Sequence, residues 1–162
     1  VKPVEPIRQA LMIEASQERT FHTFVRRLSA WWPIEGRAAA TGKPGDVRVE
    51  EWVGGRVYQA GRAGAERERG HVTIWNPPSS FAFTWEVAPG AEITEVHLQF
   101  QRLGPALTRV VMVHRGWECL STALLDRYTG HAGGWLAALR RFAAMFETDP
   151  RPRRQAADDE PR

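Results

Sequence analysis

The chain has little cysteine: Cys119 alone in 162 residues, which excludes an intramolecular disulfide and suits a reducing compartment. It has no apolar run of 18 or more residues, so no segment reads as a membrane-spanning helix. It opens without the charged-then-apolar layout of a secretory leader. It has no Cys-x-x-Cys, and no two histidines stand four apart on one helix, so no metal site is expected. It has no Gly-x-Ser-x-Gly elbow, and the glycines from Gly130 to Gly134 lack the Lys-Ser/Thr of a phosphate loop. Charge of one sign is scarce too. The net formal charge is +3, and the basic residues are dispersed as Arg26-Arg27, Arg67, Arg69 and Arg140-Arg141. A nucleic-acid binder concentrates such charge on one face. The expectation is a cytoplasmic protein without cofactor that binds neither nucleic acid nor membrane, as a monomer or weak homodimer. Residues 1–148 form one domain, and the Pro- and Arg-rich stretch 149–162 is expected to be a disordered tail.

Tryptophan, by contrast, is abundant, with seven: Trp31, Trp32, Trp52, Trp75, Trp85, Trp117 and Trp135. Most sit beside a turn signal, as in Trp32-Pro33, Trp75-Asn76-Pro77-Pro78, Gly116-Trp117 and Gly134-Trp135. Indole is large and carries a polar N–H, and at element ends such residues tend to line a hollow.

The apolar pattern orders the elements. Ile7 to Ala15 alternates as a strand, and Ser16 then reads as a helix N-cap with Glu18 in the first turn. Phe21, Phe24, Val25 and Leu28 follow at helical spacing. From Asp46 to Gly116 short alternating runs are separated by turns: Val47-Val49-Glu51, the Gly54-Gly55 turn, Arg56–Ala60, Arg67–Trp75, Phe81-Phe83-Trp85, Thr94–Arg102 and Leu107–His114. Links this short imply antiparallel pairing. A last helix from about Ala123 to Phe146 carries the stripe Leu124, Tyr128, Ala132, Trp135, Leu139, Phe142 and Phe146. The fold class is therefore α+β: an antiparallel sheet of six or seven strands gripping a long C-terminal helix.

These residues resemble a known family. Ala15…Phe21…Phe24…Trp31-Trp32-Pro33, Gly54-Gly55-Arg56-Val57-Tyr58, Gly70-His71-Val72…Trp75-Asn76-Pro77-Pro78, Phe83-Thr84-Trp85, Thr108-Arg109-Val110…His114-Arg115-Gly116 and Gly134-Trp135 follow the order seen in bacterial domains similar to the activator of Hsp90 ATPase. Those domains belong to the START/Bet v 1-like helix-grip superfamily, and the resemblance runs from Ile7 to about Phe146. It implies a curved sheet around the last helix. For function it implies carriers of hydrophobic ligands, polyketide cyclases and aromatases, or co-chaperones. A narrower likeness, to START-type self-resistance proteins of enediyne producers, implies handling of an enediyne or other aromatic polyketide.

The residues read as ligand-binding are Trp31, Trp32, Tyr58, Phe83, Trp85, Val110, Met112, His114, Tyr128, Trp135 and Leu139, around a pocket between sheet and helix. The parities of Phe81-Phe83-Trp85 and Val110-Met112-His114 motivate it. The expected partner is a small hydrophobic, planar or polycyclic molecule, held by a non-enzymatic carrier or sequestering protein. The alternatives are a cyclase- or aromatase-like enzyme using His114, Tyr58 or Glu51 as acid or base, and an interaction module for a chaperone. No residue is assigned as catalytic.

Overall fold

The structure, a computed structural model, describes residues 5–28, 46–60, 66–86, 93–117 and 135–146. Trp31, Trp32, Cys119, Tyr128, the expected start of the last helix and the tail lie outside the described residues.

Seven strands form one antiparallel sheet: β1 (Ile7–Ile13), β2 (Asp46–Val49), β3 (Arg56–Ala60), β4 (Glu66–Asn76), β5 (Ser80–Glu86), β6 (Ile93–Gly104) and β7 (Leu107–Arg115). Their order is β1-β7-β6-β5-β4-β3-β2. Helix α1 (Gln17–Arg26) follows β1, and the chain is helical again over 135–146, here α2. The Ser16 side chain caps α1 by accepting from Arg19 N at 3.2 Å, and Glu18 stands in the first turn, where the helix dipole favours a negative charge.

Alternation gives the central strands a core face, with Ala82 and Val113 also buried on the opposite one. Phe81, Phe83 and Trp85 on β5, Val96, Leu98 and Phe100 on β6, and Val110, Met112 and His114 on β7 are all at most 2% exposed. The register aligns them in rows: Phe83 opposite Val96, Val96 opposite His114, and His114 opposite Ile7. Phe21, Phe24 and Val25 of α1, with Leu28 just beyond it, and Trp135, Ala138, Leu139 and Phe142 of α2 join the same core cluster. Phe24 meets Phe142 edge-on, with centroids 5.0 Å apart, so the two helices touch on this face of the sheet.

β4 departs from simple alternation twice. Val57 pairs with Gly70 and Tyr58 with Glu68, which leaves Arg69 as an extra residue; Val72 pairs with Phe83 and Ile74 with Ala82, which leaves Thr73 as a second. Such bulges turn consecutive side chains to one side and bend the strand. Between them, Gly70 lies so close to the Thr84 carbonyl that a Cβ there would overlap it.

The β2–β3 hairpin turns at Gly54, whose φ of 84° glycine adopts without strain. Gly54 N donates to Val72 O and Val72 N donates to Gly55 O, both at 2.8 Å, pinning the turn to β4. Trp52 stands at this turn, 56% exposed, so this tryptophan lines no hollow.

Candidate functional site

The buried face converges on His114 near the end of β7. Its side chain is inaccessible to solvent, and both ring nitrogens are engaged. Trp135 Nε1 of α2 donates to His114 Nδ1 at 3.0 Å. His114 Nε2 lies 2.7 Å from Thr94 Oγ1 of β6, and Thr94 Oγ1 donates to Trp85 O of β5 at 2.9 Å. The direction of this chain follows from its two ends. An indole N–H can only donate and a carbonyl can only accept. His114 Nδ1 is therefore the acceptor, the ring is neutral, its proton sits on Nε2, and that proton is donated to Thr94 Oγ1.

Tryptophans enclose this imidazole. Trp117 follows Gly116, whose φ of 98° turns the chain back after β7; its Nε1 donates to His114 O at 3.1 Å and its ring lies 4.6 Å from the imidazole. Trp135 stands perpendicular to the imidazole at 6.1 Å. Trp85 carries a cation on its ring: the Arg69 guanidinium is 4.3 Å from its centroid. Arg69 is 8% exposed, and its Nε and Nη2 donate to Glu86 O while Nη1 donates to Gln59 Oε1. The bulge at Arg69 explains how an arginine in the Glu66–Glu68 run reaches this face.

Of the residues read as ligand-binding, Phe83, Trp85, Val110, Met112, Trp135 and Leu139 share the one core cluster, and His114 stands among them through Trp135 and Val96. The structure does not bring Tyr58 to this group. Val57 is fully buried, and alternation turns Tyr58 to the other face, where the Arg56 guanidinium lies 4.5 Å from its ring centroid. Glu51 is also remote from His114, ion-paired with Arg26 at 3.4 Å. Tyr58 and Glu51 border a surface recess of about 280 Å³ with Val47 and Arg48. His71 faces Thr84 Oγ1 on the exposed side, and His97 lies in register with Ala82 and Val113, opposite the core rows. Among the described residues no three His, Cys, Asp or Glu side chains are grouped to hold a metal ion, and no helix is long and apolar enough to cross a membrane.

Sequence reasoning missed three members of this network. Thr94 was legible, since it shares parity with Val96, Leu98 and Phe100. Trp117 carried a signal in Gly116-Trp117. Arg69 carried none, because its orientation depends on a bulge.

The chemistry available to His114 follows from its bonds. To accept or give a proton elsewhere it must first exchange the Trp135 or the Thr94 partner. The rings around it are at most 2% exposed, so a molecule reaches these flat indole and phenyl faces only where side chains part.

The family model described as "Activator of Hsp90 ATPase homolog 1-like protein" matches residues 14–147. No curated protein matches the chain by sequence. Among solved structures, CalU16 from Micromonospora echinospora superposes with a TM-score of 0.61 at 19% identity, over 91% of this chain and 77% of that one. DynU16, from the dynemicin biosynthetic locus, gives 0.64 at 16% identity; 90% of this chain is covered but only 48% of DynU16. Txn09, an anthrahydroquino-γ-pyrone synthase, gives 0.56 at 26% identity, over 87% of this chain and 96% of that one. The fold is thus the START/Bet v 1-like helix grip, with α2 as the gripped helix.

Proposed function

The chain belongs to the Activator of Hsp90 ATPase homolog 1-like family, and from that premise we propose that it binds a small hydrophobic molecule, planar or polycyclic, between the sheet and the C-terminal helix. It acts as a carrier or sequestering protein. The observation that carries this reading is the aromatic enclosure formed by Phe83 and Trp85 on β5, Trp117 after β7 and Trp135 on α2, all buried on one face. Flat rings stack on such walls. The likeness to Txn09, named for a polycyclic aromatic product, supports the same ligand class. Trp31, Trp32 and Tyr128 are proposed to complete the wall.

The test is titration of tryptophan emission with a hydroxylated anthraquinone and, separately, with palmitate. Saturable quenching by the anthraquinone, weakened in Trp135→Ala, is expected. Tight palmitate binding with no anthraquinone binding would overturn the ligand class.

A cyclase-type enzyme is the second reading, supported by the 26% identity to a synthase. Against it stands the engagement of both His114 ring nitrogens within the protein. Multiple turnovers of a poly-β-ketone, lost in His114→Ala with ligand affinity retained, would favour the enzyme.

A further inference from the structure

We propose that His114 is a proton-operated latch that fastens α2 to the sheet. The bond from Trp135 Nε1 to His114 Nδ1 exists only while Nδ1 is bare. A proton added there turns the acceptor into a donor, and two N–H groups then face each other across 3.0 Å. One side has to move. His114 cannot: β7 is hydrogen-bonded on both flanks, with Ile7 of β1 and Val96 of β6 in register beside it, and Nε2 stays tied to Thr94. Trp135 can, because α2 is held to the sheet by side chains rather than by a backbone ladder. The latch opens when Nδ1 takes up that proton, as the pH falls.

Among the described residues, Arg69 on β4 lies on the buried side, its guanidinium over Trp85. Arg8 on β1, Glu86 on β5, Glu95 on β6 and Arg115 on β7 alternate to the opposite face of the sheet. Arg140 and Arg141 of α2 are exposed. The latch is therefore closed at neutral pH and opens as the pH falls. Opening loosens the start of α2, while Leu139 and Phe142 keep the helix in the core and every strand pairing beside His114 remains. That release of α2 would discharge a bound molecule rests on the cavity reading above; the latch itself does not.

The experiment needs no ligand. Amide hydrogen exchange is followed by NMR at about pH 7.5 and about pH 5, each corrected for the intrinsic rate, in the wild type and in Trp135→Phe. The amides of β1 and β7 serve as the internal control for an intact fold. In the wild type, the exchange-competent opening of 135–146 should rise at least roughly tenfold on acidification while β1 and β7 stay protected. In Trp135→Phe, which keeps a ring and removes the donor, 135–146 should open readily at both pH values with no further response to acid. Unchanged protection of α2 in the wild type overturns the proposal. So does loss of protection in sheet and helix together, or an acid response that persists at full size in Trp135→Phe.

Discussion

The Arg69 guanidinium covers the Trp85 ring at 4.3 Å while two of its nitrogens converge on Glu86 O. A planar fork can stack and donate sideways at once; an ammonium cannot. Arg69→Lys should therefore cost roughly 1–3 kcal/mol despite keeping the charge. The check is a lowered urea midpoint at unchanged slope. A variant as stable as the wild type would mean that the stack is incidental.

Leu139 is 3% exposed within the cluster that joins α2 to the sheet. An aspartate there buries a carboxylate among aromatic and aliphatic groups, at a cost of more than about 4 kcal/mol. That is a large share of the roughly 5–15 kcal/mol available to a domain. Leu139→Asp should lower the thermal midpoint by tens of degrees or abolish folding, followed by circular dichroism. An unchanged midpoint would show that α2 turns a different face to the sheet.

Gly70 has no room for a methyl group, since the Thr84 carbonyl occupies the position of its Cβ. Gly70→Ala must push β4 from β5 and should destabilise the protein by about 1–3 kcal/mol or more. Gly54→Ala is the contrasting case: nothing stands near its Cβ, and the cost is that of holding a left-handed φ of 84°. The two variants, compared by chemical denaturation, should differ in the order Gly70 worse than Gly54.

The Glu50 carboxyl is held below the usual carboxylate range, first by the Arg56 backbone N–H and then by the Arg56 side chain. A lowered value means that the interaction is complete above the unfolded pKa and is lost as the pH falls through the folded one. The hairpin should thus loosen only as the pH drops below 4.5, the ordinary value for this group. Glu50→Gln should remove that part of the acid response, read from the hairpin amides as a function of pH.

Much of this architecture could be read from alternation and turn residues. Arg56–Ala60 was expected with its observed bounds, and the Ser16 cap and the Phe21, Phe24, Val25 and Leu28 stripe are as the spacing required. Side chains of period two on β5, β6 and β7 told the buried face from the open one, including His97 on the outside. The reading failed where the period breaks. In β4 the extra residues at Arg69 and Thr73 reset the parity, so Val72 and Trp75 both reach the core side and Arg69 joins them. No pattern of apolar residues announces a bulge, because its cause lies in the pairing with β3 and β5 rather than in β4 itself. The bonds among Trp85, Thr94, His114 and Trp135 were not legible, although each residue's buried side was. Trp85, Thr94 and Trp135 come from three separate elements, and only the register makes them neighbours.

The pairing of β1 with β7 has a consequence for the order in which the molecule can be made. Thr108 donates to Ala15 O across 93 positions of sequence, and the whole of β1 finds its strand partner only in Leu107–Arg115. During synthesis β1 therefore waits for its strand partner until Leu107–Arg115 has been made. Closing so long a loop comes late and slowly, as it does in folds dominated by distant contacts. The backbone groups of β1 that pair with β7 stay open as a sheet edge until then.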